Sequence, residues 1–309
     1  MVKFLQVYKN FNIKLNDKGS IVLIGNFDGL HLGHQKLFRL AKEFKKKYSL
    51  KIGVLTFEPM PKMFFNKDLN NFRISNQKQK INLLKKFDVD FVIIKKFDKN
   101  FSKTKSINFI KNILSSKLQA KFIFVSNNFR FGNKREGNVK QLKKFQSLYN
   151  YKIIEPKPLS HNKKIISSSS IRKLLQDGKL DKTNKFLGRP WSVEGIVKKG
   201  RQLGKKIGFP TANIDIKDYV MAQPGVYAVK AKKQNSSKFI KGIANMGYRP
   251  TFNQKKFLLE VHLFNFSENL YNKYLTVNFL KFIRKEKKFK NIDQLKKQIK
   301  KDLIKAKKL

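Results

Sequence analysis

The chain has 309 residues and a formal net charge of +50, from 70 Lys and Arg against 20 Asp and Glu. It contains no cysteine, which excludes disulfides, thiolate nucleophiles and cysteine zinc sites. No run of about 18 or more uncharged apolar residues is present, so we expect no membrane span. The length is sufficient for two domains that each bury a core.

The first ten residues, MVKFLQVYKN, lack the apolar core and the cleavage site of a secretory signal, so we expect a cytoplasmic protein. Lysines recur almost evenly along the chain, which favours solvated faces over a nucleic-acid groove. Such a charge would still attract anions and bind RNA non-specifically at low salt. An RNA-binding protein is therefore a remote alternative, motivated by charge alone, since no RNA-binding motif is recognisable.

A strand, a glycine-containing loop and a helix begin the first half of the chain. The apolar run Ile21 to Ile24 predicts the strand, and Leu37, Leu40, Ala41 and Phe44 recur at helical spacing. A helix that follows a strand in this way presents free N–H groups and the positive end of its dipole at the edge of a sheet. That arrangement favours a phosphate ligand.

The connecting loop has the sequence GNFDGLHLGH, from Gly25 to His34. Its glycines let the backbone approach a ligand closely, while His31 and His34 can donate hydrogen bonds to oxygens that gain charge during a reaction. A lone histidine on a helix is more often structural than catalytic. Two histidines three residues apart, beside three glycines and an aspartate, favour phosphoryl or nucleotidyl transfer.

The rest of the first half alternates strands with helices. Strands are predicted over residues 51–57, 90–94, 121–125 and 151–154, and helical apolar faces lie near residues 81–87, 107–114 and 139–145. This order predicts a parallel sheet covered on both faces, whose ligands bind beyond the carboxyl ends of the strands.

Next comes the serine run Ser167 to Ser170 before Arg172, which could be a polar linker. Because Ile171, Leu174 and Leu175 begin a helix there, the serines are predicted to cap it and to face phosphate.

Past Trp191 the pattern changes to short strands, predicted over residues 192–199, 225–230, 239–245, 258–264 and 275–283. They predict a small antiparallel barrel, with Trp191 as a core residue. A terminal helix follows, with Asn291 as its N-cap and a packing stripe of Ile292, Leu295, Ile299 and Leu303. Glu260 and His262 are predicted to lie on one face of their strand.

Several motifs resemble one family in the right order along the chain. GNFDGLHLGH closely resembles the signature of the prokaryotic bifunctional riboflavin kinase and FAD synthetase family, and ISSSSIR resembles its ISSTxIR motif. GFPTAN at 208–213, GVYAV, GIANMGYRPTF and LEVHLFNF match riboflavin kinases. The resemblance implies an α/β plus β fold. A Rossmann-like nucleotidylyltransferase domain with a parallel sheet would span residues 1–186, and a riboflavin kinase barrel with a terminal helix would span residues 187–309.

For the first domain, the resemblance implies transfer of AMP from ATP to FMN, giving FAD and pyrophosphate. His31, His34 and Arg172 would be catalytic, with Arg172 stabilising the departing pyrophosphate. The remaining nucleotide-binding residues would be Gly25, Asn26, Phe27, Asp28, Gly33, Asn128, Ser168 and Ser169.

For the second domain, the resemblance implies phosphorylation of riboflavin by ATP, with Glu260 as the general base. Thr211 and Asn213 would hold Mg²⁺, which both reactions are expected to need. Substrate-binding residues would be Gly200, Gly204, Gly208, Pro210, Thr211 and Arg284, the last near the flavin phosphate. The implied partners are riboflavin, FMN and ATP, with no specific nucleic acid and no membrane.

The chain departs from the family pattern at a few positions. Met60 replaces a histidine of the EPHP loop, and Asn128 and Ser126 replace an aspartate and a glycine of the GxDFRFG loop. Methionine cannot donate a hydrogen bond, and asparagine cannot act as an anion. A riboflavin kinase with a weakened adenylyltransferase half is therefore an alternative. The departures in the kinase half, Lys205 and Asn265, are mild.

Overall fold

The computed structural model describes residues 5–69, 71–200, 202, 204, 207–250 and 255–308, and of residues 249, 250, 255 and 256 only the backbone. Lys205 therefore lies outside the described residues. The chain divides into two compact units: unit 1 is Met1–Leu69 with Gln77–Ile166, and unit 2 is Asn70–Asn76 with Ser167–Leu309. The domain boundary expected after residue 186 stays a prediction. Within the described residues, no helix is both long and apolar enough to span a membrane.

Unit 1 contains ten strands in its described part. They are β1 Gln6–Tyr8, β2 Ile21–Ile24, β3 Ile52–Glu58, β4 Phe91–Lys96, β5 Phe122–Phe124, β6 Arg130–Phe131, β7 Gly137–Asn138, β8 Lys152–Ile154, β9 Ser160–His161 and β10 Lys164–Ile165. Six of these form one sheet in the order β1-β4-β3-β2-β5-β8. Neighbouring strands in it run parallel, as the sequence predicts.

The helices of unit 1 alternate with these strands. They are α1 Leu32–Tyr48, α2 Pro61–Phe65, α3 Gln77–Lys85, α4 Lys99–Ser102, α5 Ser106–Asn108, which continues as a π-helix over Phe109–Lys117, and α6 Val139–Lys144. Apolar clusters lie on both faces of the sheet. One includes Phe38 and Ala41 of α1, and the other includes Ile110 and Leu114 of the π-helix.

The strand order places the end of β2 at a reversal in the sheet. From β2 the chain builds outward through β3 and β4, and then returns to add β5 on the other side of β2. Ligands of open parallel sheets bind beyond the carboxyl ends of the strands at such a reversal. The loop Gly25 to His34 leaves β2 at this point.

Unit 2 begins, apart from residues 71–76, with α7 Ser168–Gln176 and α8 Leu180–Leu187. Six strands then close a barrel, namely β11 Trp191–Lys198, β12 Ala212–Asp215, β13 Gly225–Lys233, β14 Ile240–Pro250, β15 Lys255–Leu263 and β16 Tyr274–Lys285. Every neighbouring pair for which a register is defined is antiparallel, which confirms the predicted barrel. The sequence did not indicate β12, because its four residues follow a run of glycine and proline that is typical of a turn.

The barrel interior is filled by alternating apolar side chains. Trp191 packs on Phe279 with ring centroids 4.6 Å apart, and both side chains are buried. The indole N–H of Trp191 donates to the carbonyl of Ile74, at 3.0 Å. Trp191 is therefore the core residue that the sequence predicts, with its polar atom satisfied.

The helix α9, Ile292–Lys307, completes unit 2. Asn291 caps it as predicted, since its side chain accepts from the N–H of Gln294 at 3.0 Å. Leu303 and Ala306 pack against the barrel, but Ile292 is 59 % exposed, so the prediction of Ile292 as a packing residue is wrong. A periodic pattern indicates which face of a helix is apolar, but it does not indicate at which turn the contact begins.

The segment 71–76 lies far from the rest of unit 2 in sequence and pairs with the chain that follows β12. The N–H of Asn71 donates to Lys217, and the N–H of Val220 donates to Arg73. The side chain of Asn76 donates to the hydroxyl of Tyr219 at 2.7 Å. This arrangement joins sequence from both halves of the chain in one compact unit.

Candidate functional site

The loop after β2 places His31 at the N-cap of α1. Its Nδ1 accepts a hydrogen bond from the backbone N–H of His34, at 3.4 Å. A nitrogen that accepts carries no proton, so the proton of a neutral His31 is on Nε2. The capping contact therefore orients the ring and selects its tautomer.

The rings of His31 and His34 stack with centroids 3.7 Å apart. Burial holds the pKa of His34 well below its ordinary value, and the nearby His31 and Lys80 lower it further. The Nδ1 atom of His34 is buried and has no hydrogen-bond partner among the residues that the structure describes. The loop thus holds a neutral imidazole with one polar atom free for a ligand.

Phe27 and two glycines determine the shape of this loop. Phe27 has a left-handed backbone with φ 48°, is 2 % exposed, and meets the ring of His34 edge-on at 5.2 Å. A Cβ at Gly25 would lie 3.2 Å from the ring of Phe27. A Cβ at Gly33 would lie 3.1 Å from the ring of His31 and 3.2 Å from the carbonyl oxygen of Ile166. Both positions therefore favour glycine because of close approach.

The remaining residues of the loop lie beside this pair. Asp28 is buried in a short 3₁₀ turn, whereas the side chain of Asn26 is exposed. The carbonyl of Asn26 accepts from the Nζ of Lys80 at 3.2 Å. The loop is thus joined to α3 through its backbone.

Lys80 is a buried cation that sequence analysis did not identify. It is 3 % exposed, and its Nζ also donates to the hydroxyl of Thr56 at 3.1 Å, at the end of β3. The sequence did contain a signal, since Lys80 precedes the buried Leu84 by one helical turn on α3. A lysine on the apolar face of a helix is buried only where its charge is stabilised.

Met60 and Asn128, two of the departures in unit 1, have different environments. Met60 is 2 % exposed and precedes Pro61 at the start of α2, so it is part of the packing. Asn128 is exposed and accepts a hydrogen bond from the hydroxyl of Ser126, at 2.9 Å. Of Met60 and Asn128, only Asn128 therefore presents its side chain to solvent.

The serine motif belongs to unit 2. Ser167 caps α7 and forms a reciprocal capping box with Ser170, as the predicted capping by serines requires. Ser168 and Ser169 are the first two residues of α7, and Ser169 is exposed. One turn later, the Nε of Arg172 donates to the carbonyl of Phe72 at 2.8 Å. Its guanidinium lies 3.6 Å from the centre of the Phe72 ring, so a residue of the segment 71–76 orients this arginine.

The barrel brings Asn213 and Glu260 together. The two residues are directly opposite each other across β12 and β15. Their neighbours Ala212 and Val261 are buried in the interior, whereas Asn213 and Glu260 are half-exposed on the outer face. A predicted metal ligand and the predicted general base are thus adjacent although they lie 47 positions apart in the sequence.

The described part of the loop before β12 lies against these side chains. A Cβ at Gly200 would lie 2.5 Å from the amide nitrogen of Asn213. A Cβ at Gly204 would overlap the carbonyl of Phe209, and it would lie 3.3 Å from the hydroxyl of Thr211. Gly208, by contrast, has a left-handed backbone with φ +89° and open space around it. Pro210 accepts a hydrogen bond from His262 of β15, at 2.8 Å.

Arg284 lies near the end of β16 and has structural partners. It forms two contacts of 2.8 Å with one carboxylate oxygen of Asp302, from Nε and from a terminal nitrogen. The side chain of Asp302 is 2 % exposed and also accepts from Gln298. Arg284 therefore joins α9 to the barrel, and its role near a flavin phosphate stays a prediction.

Comparison with known proteins agrees with both halves of this description. Residues 13–170 match the family model described as FAD synthetase, and residues 187–309 match the one described as riboflavin kinase. A bifunctional riboflavin kinase/FMN adenylyltransferase of Buchnera aphidicola subsp. Schizaphis graminum is 42 % identical over 94 % of each chain. The chain belongs to the bifunctional riboflavin kinase/FMN adenylyltransferase family.

Other members of this bifunctional family are similar over the same span. The protein of Haemophilus influenzae is 39 % identical over 94 % of each chain, and that of Escherichia coli K12 is 36 % identical over 94 % of this chain and 92 % of its own. A crystal structure from Streptococcus pneumoniae, titled a macrolide-efflux protein, has a TM-score of 0.87 at 30 % identity and covers 98 % of each chain. That title describes the other protein, and the likeness supports the fold.

The residues of the kinase half fit a magnesium ion that is bound mainly through a nucleotide. In the described part of the chain, no group of three or more His, Asp or Glu could hold a metal ion. Thr211 and Asn213 offer a hydroxyl and an amide oxygen, which are neutral oxygen ligands. Mg²⁺ commonly keeps several waters and takes its other ligands from substrate phosphates, so few protein ligands suffice.

Proposed function

We propose that the two reactions of the family have separate sites in this chain. Riboflavin and ATP give FMN and ADP at the outer face of the barrel, and FMN and ATP give FAD and pyrophosphate at the histidine loop. The observation that carries the kinase site is the pairing of Asn213 with Glu260. The start of the riboflavin kinase match at residue 187 supports a domain boundary after residue 186.

In the kinase reaction, Glu260 takes the proton of the terminal ribityl hydroxyl as its oxygen attacks the γ-phosphorus of ATP. The bond from that phosphorus to the bridging oxygen breaks, and ADP leaves. The glycine positions and Pro210 let the loop backbone lie close to the phosphates, which supports binding by Gly200, Gly204 and Gly208.

Thr211 and Asn213 would hold Mg²⁺ beside Glu260, and the bound ion would offset the charge on the phosphates. The predicted contact of Arg284 with the flavin phosphate requires its guanidinium to bind the phosphate and Asp302 at the same time.

In the adenylyl transfer, a phosphate oxygen of FMN attacks the α-phosphorus of ATP, and the bond to the pyrophosphate oxygen breaks. The nucleophile is already ionised, so the chain needs no strong base and acts by positioning and charge stabilisation. A neutral His34 and the Nε2–H of His31 suit phosphate oxygens, and Arg172 would stabilise the departing pyrophosphate. Gly25, Asn26, Phe27, Asp28, Gly33, Asn128, Ser168 and Ser169 would bind the nucleotide.

Two variants, one single and one double, test whether the two reactions have separate sites. We expect Glu260→Gln to stop FMN formation and to leave the conversion of FMN to FAD unchanged. We expect His31→Ala with His34→Ala to have the opposite effect. Each step is assayed separately with purified protein, ATP and Mg²⁺, and product formation is followed by chromatography.

The control variants are Glu268→Gln, an exposed carboxylate paired with Lys233, and His161→Ala. Loss of both activities in either test variant, with the fold intact, would contradict two separate sites. A wild-type protein that forms FMN but no FAD would instead support the kinase with a weakened adenylyltransferase half. Met60 and Asn128 are the residues that motivate this alternative hypothesis.

The proposed partners are the small molecules riboflavin, FMN and ATP. That the protein binds no specific nucleic acid and no membrane stays a prediction, as does its cytoplasmic location. Tight RNA binding at physiological salt by a protein that lacks both flavin activities would favour the RNA-binding alternative.

A further inference from the structure

Asn245 has a polar atom that no other described residue of the barrel uses. It lies on β14, where its neighbours Ala244 and Met246 are buried in the interior, so its own side chain is on the outer face. Its Oδ1 is buried and has no hydrogen-bond partner within the described part of the chain. Buried polar atoms without a partner are rare in native proteins, and each calls for an explanation.

The barrel places this atom beside the predicted general base. Asn245 is directly opposite Glu260 across β14 and β15, and Glu260 is in turn opposite Asn213 across β12. Residues opposite each other in antiparallel strands have Cβ atoms about 4.5–5.5 Å apart. Glu260 is therefore flanked by one amide on each side, in a single row across three strands.

The surroundings of Asn245 on its other side are apolar. Its partner on β13 is Val226, and Ile243 lies two residues away on the same face of β14. Both belong to the cluster with Leu303 and Ala306 of α9. These side chains offer no hydrogen-bond donor, so a bound ligand can supply the donor that Oδ1 lacks.

The proposed substrate has such a donor next to its reacting group. The ribityl chain of riboflavin has three further hydroxyls besides the terminal one that is phosphorylated. With the terminal hydroxyl at Glu260, the chain extends past one neighbouring strand or the other. On the β12 side lies the amide assigned to Mg²⁺, and on the β14 side lies the unused acceptor.

We propose that Asn245 recognises the substrate of the kinase site by accepting, at Oδ1, a hydrogen bond from a ribityl hydroxyl. This inference rests on the role proposed above for Glu260. Oδ1 is closed to solvent, so the hydroxyl displaces covering atoms as it binds, and water does not compete for the hydrogen bond. Substrates with a polyol chain are thereby preferred to those with an alkyl chain.

The test compares riboflavin with an analogue that has an unbranched hydroxypentyl side chain, which keeps the terminal hydroxyl and lacks the other three. We expect Asn245→Leu to lower kcat/KM about tenfold with riboflavin, the effect of one hydrogen bond, and to leave the analogue unaffected. Asn278→Leu is the matched control. It lies on the outer face of β16, opposite Ser192 and Lys230, and should alter neither substrate.

An equal loss with both substrates, or no loss with riboflavin, overturns the proposal, since recognition of the polyol requires a difference. Circular dichroism and thermal unfolding of the same preparation report whether the barrel is intact. If Asn245→Leu does not fold, Asn245→Ala is compared in the same way, with the same expected difference. If the kinase site is assigned wrongly, Glu260→Gln phosphorylates riboflavin as fast as the wild type does. This result differs from those above, and it also overturns the proposal for Asn245.

Discussion

The ring of His31 lies on the ring of His34, with centroids 3.7 Å apart and planes inclined by 22°. Two imidazoles at this distance cannot both be protonated without strong repulsion, and the ammonium of Lys80 adds to the positive potential. The loop therefore keeps His34 neutral in the folded protein.

Stability should consequently fall in acid because of His34. Its pKa is below the ordinary value of 6.5 in the folded state, mainly through burial, and returns to about that value on unfolding. Between these two values only the unfolded chain binds the proton, so stability decreases as pH falls below 6.5. Urea unfolding at several pH values gives the free energy of unfolding of the wild type and of His34→Gln. As the pH falls below 6.5, this free energy should decrease less steeply in the variant than in the wild type.

Two further measurements separate this effect from general acid unfolding. In NMR titrations, the ring signals of His34 should shift at a lower pH than the ordinary imidazole value of 6.5. Lys80→Met should raise the pKa of His34, because it removes a neighbouring positive charge. A His34 that titrates near 6.5 in the wild type would contradict the neutral state.

Gly200→Ala should impair the kinase reaction selectively. The added methyl group would lie 2.5 Å from the amide nitrogen of Asn213, so that side chain has to move away from its position beside Glu260. We expect kcat/KM for FMN formation to fall about tenfold, the effect of one displaced contact, with FAD formation from FMN unchanged. The neighbouring exposed Lys199→Ala is the control, and equal activity in both variants would show that Asn213 need not be held there.

Arg284→Met should destabilise the barrel by about 3–5 kcal/mol, because it leaves the buried carboxylate of Asp302 without its cation. The double variant Arg284→Met with Asp302→Leu should regain most of this stability, since apolar replacement removes the unpaired charge. Thermal unfolding measures both variants. If Arg284→Met had wild-type stability but formed FMN more slowly, Arg284 would bind the ligand rather than join α9 to the barrel.

A large part of this protein could be predicted from its sequence. The alternation of strands and helices indicated the parallel sheet, and the shorter strands indicated the barrel, because hydrophobic periodicity follows from which face is buried. The capping by Asn291 and the burial of Trp191 were also predictable, since both depend on local chemistry. The motifs around His31, Thr211 and Glu260 indicated the two reactions through their resemblance to a family.

Only the tertiary structure showed the contacts that join distant parts of the chain. The pairing of Asn213 with Glu260, and of Glu260 with Asn245, depends on the register of three strands, which no local pattern specifies. The burial of Lys80 depends on the ends of β2 and β3, and the orientation of Arg172 depends on a segment 100 residues earlier. The sequence by itself determined which chemical groups are present, and the packing of the strands decided which of them act together.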